Sequence, residues 1–280
     1  MRKLCTALLL LLVPTIAQAG PWLKDTGAGY AKFSTTYFQS DGYYRASEET
    51  DLSFSSYSLS LYSEVGLPGP FQVIVQLPFI FAANSAASDA AFRNADFGDG
   101  RFSVEWAPWS SLNLVVGMDL VVPLYTPVTS QQLPGELSAW QTSFPDLGDG
   151  NYDLTTRIDY GLSLSVIPGW LTGSAGYRKR FGYYVDGVDL KMQLGVWLFP
   201  DKAYVSVYSQ ALLNVAKDPE PTLLTSRETV SMEVSLGVTA DPLEKNLHLV
   251  FSYGTLLYTR FASPGYSLTL GVAYSWDAIS

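Results

Sequence analysis

Charged residues inside alternating segments include Lys32, Arg101, Glu105, Asp119, Asp153, Arg157, Asp159, Arg178, Arg180, Lys191 and Glu233. Each lies in phase with Gly, Ser and Thr rather than with the apolar residues, so in extended chain all should share one face. Both signs occur. That mixture suits two kinds of interior: ion pairs that plug a small barrel, or a constriction whose opposed charges orient a solute's dipole. A hairpin closed at Pro168-Gly169 would set Asp159 opposite Arg178 and Arg157 opposite Arg180. Facing arginines need carboxylates, and Asp153, Asp159, Glu105 and Asp119 are the partners within reach.

Catalysis is not expected from this set, and neither is a metal or cofactor. The one cysteine, Cys5, lies in an N-terminal leader, and the one histidine, His248, opens a strand just after a short turn, away from the long loops. A His-assisted nucleophile or a zinc centre therefore lacks its parts. The loop carboxylates Asp89, Asp96, Asp146 and Asp149 could serve a carboxylate protease or hold calcium, but Asp beside Gly is ordinary turn chemistry.

What must position the charges is a run of strands. Residues 152–166 put Tyr152, Leu154, Thr156, Ile158, Tyr160, Leu162, Leu164 and Val166 on one face, and Asp153, Thr155, Arg157, Asp159, Gly161, Ser163 and Ser165 on the other. Helical spacing cannot generate that pattern. Similar alternation predicts strands near 29–38, 52–65, 71–82, 100–107, 112–123, 171–183, 189–199, 203–213, 229–239, 247–258 and 265–276, about twelve in all. Short Pro-rich turns alternate with longer polar loops around 39–51, 83–99, 124–151 and 214–228. Short turns at one end and long loops at the other are the layout of a transmembrane antiparallel up-and-down β-barrel.

Alternation alone fits a soluble sandwich equally well. Segments of ten or more residues match a tilted spanning strand better than an average soluble strand of about 5–6. Charged residues make up 15% of the chain and aromatics 14%, and the polar face is mostly Gly, Ser, Thr and Ala, sparse for a surface in bulk water. Aromatics gather at segment ends: Phe71, Trp106, Trp109, Trp170, Trp197 and Trp276 near the short turns; Phe38, Phe79, Tyr125, Tyr152, Tyr183 and Tyr258 near the long loops. Two interfacial girdles would have that distribution, with lipid of the outer membrane against the apolar face.

Residues 1–19 read as a secretory signal peptide: Arg2 and Lys3, an apolar run from Leu4 to Ile16, then Ala17-Gln18-Ala19. Residues 20–280 then form one barrel domain. The net charge of -9 opposes a nucleic-acid partner, since a phosphate backbone is held by clustered cations. The final strand, ending in the aromatic Trp276 before a four-residue overhang, is similar to the C-terminal signal by which the barrel assembly machinery recognises bacterial outer-membrane proteins.

Two segments share a motif, Phe97-Gly98-Asp99-Gly100-Arg101-Phe102 and Leu147-Gly148-Asp149-Gly150-Asn151-Tyr152, with glycine expected to supply positive φ at strand entry. With Gly176-Tyr177-Arg178-Lys179-Arg180 and Gly195 through Pro200, the chain resembles a family of outer-membrane barrels associated with phenol and aromatic-compound degradation. The resemblance implies transport or channel activity in the outer membrane of a Gram-negative bacterium.

Together these readings point to a channel or uptake protein for a small, hydrophobic or aromatic solute. The alternatives are a plugged barrel with a structural, assembly or surface-display role and, behind it, an outer-membrane hydrolase. The apolar residues Tyr125, Leu133, Leu137, Trp140 and Phe144 of the longest loop could fold into the mouth as a lid or lie over the rim.

Overall fold

Open strand edges in hydrocarbon would leave backbone N–H and C=O groups unpaired, at several kcal/mol each, so strands that span a membrane must close on themselves. In a computed structural model the alternating segments do so. The structure describes residues 23–45, 48–50, 53–85, 91–109, 112–126, 144–164, 166–182, 184–215, 228–240, 246–260 and 264–278. The leader, the cleavage site, Tyr183 and the middle of the longest loop, with Leu133, Leu137 and Trp140, lie outside the described residues.

The strands in chain order are β1 (Gly29–Ser40), β2 (Tyr43–Arg45), β3 (Glu48–Thr50), β4 (Ser53–Leu67), β5 (Phe71–Ser85), β6 (Ala91–Phe97), β7 (Asp99–Trp109), β8 (Leu114–Pro123), β9 (Asp153–Leu164), β10 (Gly169–Arg180), β11 (Gly187–Phe199), β12 (Ala203–Asn214), β13 (Glu228–Thr239), β14 (Leu247–Arg260) and β15 (Tyr266–Trp276). β2 and β3 pair only with each other, in the first long loop. β6 and β7 are two halves of one stave broken at Gly98, and β5 pairs with both. β1 pairs with β4 on one side and, from Gly29↔Trp276 to Gln39↔Tyr266, with β15 on the other. The result is a closed, antiparallel, 12-stranded β-barrel.

Burial runs inside out, as the lipid-facing reading requires. Phe33, Leu61, Phe102, Met118, Ile158, Leu190 and Leu270 are exposed on the outer face, while Ser34, Ser103, Asp119, Asp153, Ser206 and Ser252 are buried on the inner one. At the end that holds the termini and short turns, Phe71 stacks on Trp106 with centroids 6.5 Å apart, and Trp109 is exposed on the same outer surface. Trp276 lies against Gly29 and donates its indole N–H to the Gly27 carbonyl at 3.1 Å. Toward the long loops, Phe79 packs on Phe81 at 5.0 Å and on Phe97 at 5.3 Å.

Some expectations need correction. Trp170 and Trp197 do not belong to the outer girdle; they share the inward parity of Thr172 and Gly195 and pack together in the lumen, 5.8 Å apart. Phe38 also turns inward, onto Phe54. Much of the segment expected as a loop at 83–99 is strand: β5 continues to Ser85 and residues 91–97 form β6, an alternation that Ala91 and Ala95 make hard to see. The hairpin between β9 and β10 does not turn tightly at Pro168-Gly169. Gly169 is itself a strand residue paired with Leu164, so the register moves by four: Ser174 faces Asp159, Gly176 faces Arg157 and Asp153 faces Arg180.

The two Gly-Asp-Gly motifs also depart from expectation. Of Gly98, Gly100, Gly148 and Gly150, only Gly150 has a positive φ, 64°. Gly148 is small because the motifs touch. The Asp149 N–H donates to Asp99 Oδ2 at 2.8 Å, and a Cβ on Gly148 would lie 2.4 Å from that oxygen. A Cβ on Gly98 would lie 2.6 Å from Ile80 Cδ1. This contact, with Asn94 donating to the Pro145 carbonyl at 3.2 Å and Phe92 packed on Phe144, seats residues 144–151 against the inner wall of the mouth. Gly148→Val should therefore unseat that segment without opening the barrel. Hydrogen exchange at 144–151 should speed up by at least about tenfold, the loss of roughly one charge-assisted hydrogen bond, while the strands keep their protection.

Candidate functional site

Arg157 on β9 is the centre of the lumen's polar structure. Its Nε lies 3.1 Å from Asp119 Oδ2 on β8, its Nη2 2.6 Å from Glu105 Oε1 on β7, and its Nη1 pairs with Asp159 on its own strand. All four side chains are nearly buried. Space for the guanidinium comes from Gly117 and Gly176, the residues facing Arg157 on β8 and β10; a Cβ on Gly117 would lie 2.4 Å from Nη1. The network extends toward the termini. Gln72 donates to Glu105 at 3.1 Å and to Glu64 at 3.3 Å, and its carbonyl accepts from the Lys24 backbone N–H at 2.8 Å.

A second cluster sits nearer the long loops. Arg178 and Arg180, two residues apart on β10 and hence on one face, both pair with Asp153 and Asp149. Asn151 donates to Asp153 at 3.0 Å, and the Tyr184 ring lies 4.4 Å under the Arg180 guanidinium while its hydroxyl donates to the Asp149 carbonyl at 2.8 Å. The loop phenols Tyr125 and Tyr184 are both raised by burial, with the neighbouring aspartates, Asp149 among them, adding to the effect, so they stay protonated donors. Lys191 pairs with Asp189 at 2.9 Å, and Gln210 donates to the same carboxylate at 2.8 Å.

Arg101 differs from these. Among the described residues no carboxylate lies within ion-pair distance of it. It faces the lumen from β7 between Gln76 and Val121 and lines two cavities, one of about 320 Å³ toward the termini and one of about 370 Å³ toward the long loops. Gln76, Arg101 and Asp119 are the side chains common to both, so they form the waist between the chambers. The opposite wall is a stripe of hydroxyls: Ser235 and Ser252 are 2.8 Å apart, as are Thr36 and Thr269. Glu233 stands on that wall, accepts from Ser235 at 2.9 Å and lines a side cavity of about 270 Å³. Lys32 faces the lumen from β1 beside Gly271.

Below the waist, near the termini, the lumen turns aromatic. Trp170, Trp197 and Tyr204 pack mutually with centroids 5.4 to 5.8 Å apart, and Tyr30 meets Tyr62 edge-on at 6.0 Å. Glycines seat the rings: a Cβ on Gly195 would lie 2.2 Å from the Trp170 indole, and one on Gly237 2.1 Å from the Tyr204 ring. Lys24 bridges to Glu64 at 3.4 Å and carries the N-terminal segment over this end.

Residue type places Trp170 and Trp197 among the membrane anchors and gives no reason to single out Tyr30, Tyr62 and Tyr204, yet parity carries the signal: Trp170, Tyr30, Tyr62 and Tyr204 are in phase with Thr172, Ser34, Ser60 and Ser206, and Trp197 is in phase with Lys191 and Gln193. His248 lies at the terminal end of β14, with Nδ1 3.3 Å from the Thr239 hydroxyl.

No protein-family model matches the chain, and no curated protein does. Among solved structures, the barrel is similar to the COG4313 outer membrane channel from Pseudomonas putida F1, with a TM-score of 0.66 at 12% sequence identity over 95% of this chain and 100% of that one. A looser likeness, with TM-scores of 0.49, extends to the KdgM porin at 10% identity over 88% of this chain and 99% of that one, and to the NanC porin at 9% identity over 86% and 98%. What the chain shares with the first of these is its architecture, that of an outer-membrane β-barrel.

Proposed function

We propose that the protein is a passive outer-membrane channel for a small solute that carries an anionic group on an apolar or aromatic body. The observation that carries this reading is the waist. Two polar chambers meet at Arg101, and that cation has no ion-pair partner while Arg157, Arg178 and Arg180 are fully engaged. An arginine without an ion-pair partner among the described residues, diagonal to the Asp119 carboxylate on the neighbouring strand, sets a positive group beside a negative one along the solute's path, and its guanidinium donors suit a carboxylate. The aromatic faces beyond it offer stacking to a ring leaving the waist. On this reading the lumen-facing set Arg101, Glu105, Asp119, Asp153, Arg157, Asp159, Arg178, Arg180 and Glu233 splits by role. Arg101 and Glu233 meet solute; the remainder hold the wall.

The aromatic cluster and the Lys24 segment also support a second reading, a barrel sealed at its terminal end with a structural role. Single-channel recording in planar bilayers separates the two. A channel should open in steps, Trp170→Ala should raise unitary conductance at least about twofold by widening the narrow end, and Arg101→Ala should move the reversal potential in a salt gradient toward cations. Silence of the wild type and of Trp170→Ala would establish the sealed barrel instead.

Arg157 has a different expected effect. Arg157→Ala would leave Glu105, Asp119 and Asp159 together without their cation. It should lower stability toward denaturant by about 3–5 kcal/mol, as when one partner of a buried pair is removed. Arg157→Lys, which keeps the charge but cannot fork to all three carboxylates, should fall between. Equal unfolding midpoints for all three proteins would refute the structural role given to Arg157.

A further inference from the structure

One patch of the outer surface is unlike the rest. Across β4, β5 and β6 the register aligns Tyr57, Phe81 and Ala95 in one row and Ser55, Ala83 and Arg93 in the next row toward the long loops. Small side chains at Ser55, Ala83 and Ala95 form a floor, Tyr57 and Phe81 a wall, and Arg93 the facing rim, around a depression of about 440 Å³. Arg93 is exposed, and among the described residues it has no ion-pair partner. Two other exposed cations at this end are paired, Lys179 with Asp186 at 2.9 Å and Arg260 with Glu228 at 3.5 Å.

The height of the patch is fixed by its neighbours. Tyr37 packs on Tyr57 at 4.8 Å, and the hydroxyls of Tyr37 and Tyr266 both reach up to Gln39 Oε1. Outward tyrosines with hydroxyls directed at a polar side chain mark the level where hydrocarbon gives way to headgroups. Arg93 lies two residues further along the strand, about 7 Å. An acyl chain of the surrounding leaflet would therefore meet the barrel at the level of Tyr57 and Phe81, and a headgroup phosphate at the level of Arg93. Long loops face the cell exterior in barrels of this kind, so the leaflet at this end is the one built of phosphorylated, acylated saccharolipid.

We propose that this groove is a binding site for one lipid A-type molecule of the outer leaflet, with a phosphate held bidentately by Arg93 and an acyl chain laid along Tyr57 and Phe81. Guanidinium matches phosphate geometry and loses less to dehydration than an ammonium would. The apolar floor supplies area in contact with the chain, and Ser55 faces the sugar.

The test is native mass spectrometry of the purified barrel released from detergent micelles doped with lipid A, with dephosphorylated lipid A, or with phosphatidylglycerol. Wild type should retain one lipid A. Retention should fall at least tenfold for Arg93→Gln, for dephosphorylated lipid A, and for Ala95→Trp, which fills the groove and leaves the cation. Lys179→Gln should match the wild type. Full retention by Arg93→Gln would overturn the site, equal loss in Lys179→Gln would reduce it to general charge attraction, and equal retention of phosphatidylglycerol would overturn the assignment to lipid A. Heat-modifiable migration on gels confirms for each variant that the barrel is folded.

Discussion

Closure of the backbone ladder between β1 and β15 is the constraint from which the other features follow. Once Gly29 through Gln39 pair with Trp276 through Tyr266, every stave has two neighbours and each side chain must choose lipid or lumen by parity alone. A charge inside a spanning strand then has one tolerable direction. In a ring of twelve the interior is too narrow to let such charges stay far apart in bulk water, and too wide for side chains alone to fill. Pairing across neighbouring strands resolves this, and it is what β7 to β11 do with Glu105, Asp119, Arg157, Asp159, Asp153, Arg178 and Arg180.

The pairing is lopsided around the ring. The ion pairs occupy the wall from β7 to β11, whereas β12 to β15 and β1 present mostly Ser and Thr. Hydroxyls satisfy one another or water without fixing a charge, so the open part of the lumen is bounded by a rigid ion-paired wall and a wall of hydroxyls on which Glu233 and Lys32 stand. Arg101, half-exposed where two chambers meet and without a carboxylate at ion-pair distance among the described residues, keeps its donors toward the lumen instead of locking them into the wall, and that availability is the argument for giving it a solute to meet.

Much of this was legible in the sequence, because period two is strict in a two-faced sheet and a slip of one residue would turn every side chain over. Strand positions, end-to-end asymmetry of the loops, the inward set of charges and the carboxylates available to the arginines all follow from it. What could not be read depends on quantities that parity does not carry. The β9–β10 register depends on where the turn closes, and Pro168-Gly169 reads as a tighter turn than the one formed. The contact between the two Gly-Asp-Gly motifs joins residues about fifty apart, through a loop whose path no local pattern specifies. Trp170 and Trp197 were misplaced for another reason: residue type, which favours an interface for tryptophan, outweighed a parity that already placed them inside.

The aromatic end has a logic of its own once that parity is accepted. Gly195 and Gly237 lie beneath rings that a single methyl group would displace, and Gly29 lies likewise under Trp276 on the outer face. Glycine weakens a strand by leaving backbone uncovered, and an aromatic laid across it from the neighbouring strand restores the contact. The same device therefore acts on both faces near the termini, anchoring the barrel in lipid outside and narrowing the lumen inside. Because the inner rings rest on glycines instead of interlocking with bulky neighbours, ring–ring packing between nearby strands, the Tyr62–Glu64 hydrogen bond and the Lys24 bridge hold them in place. Such packing contributes about 0.5–1.5 kcal/mol per pair, small enough for thermal opening to compete with it, unlike the ion-paired wall above.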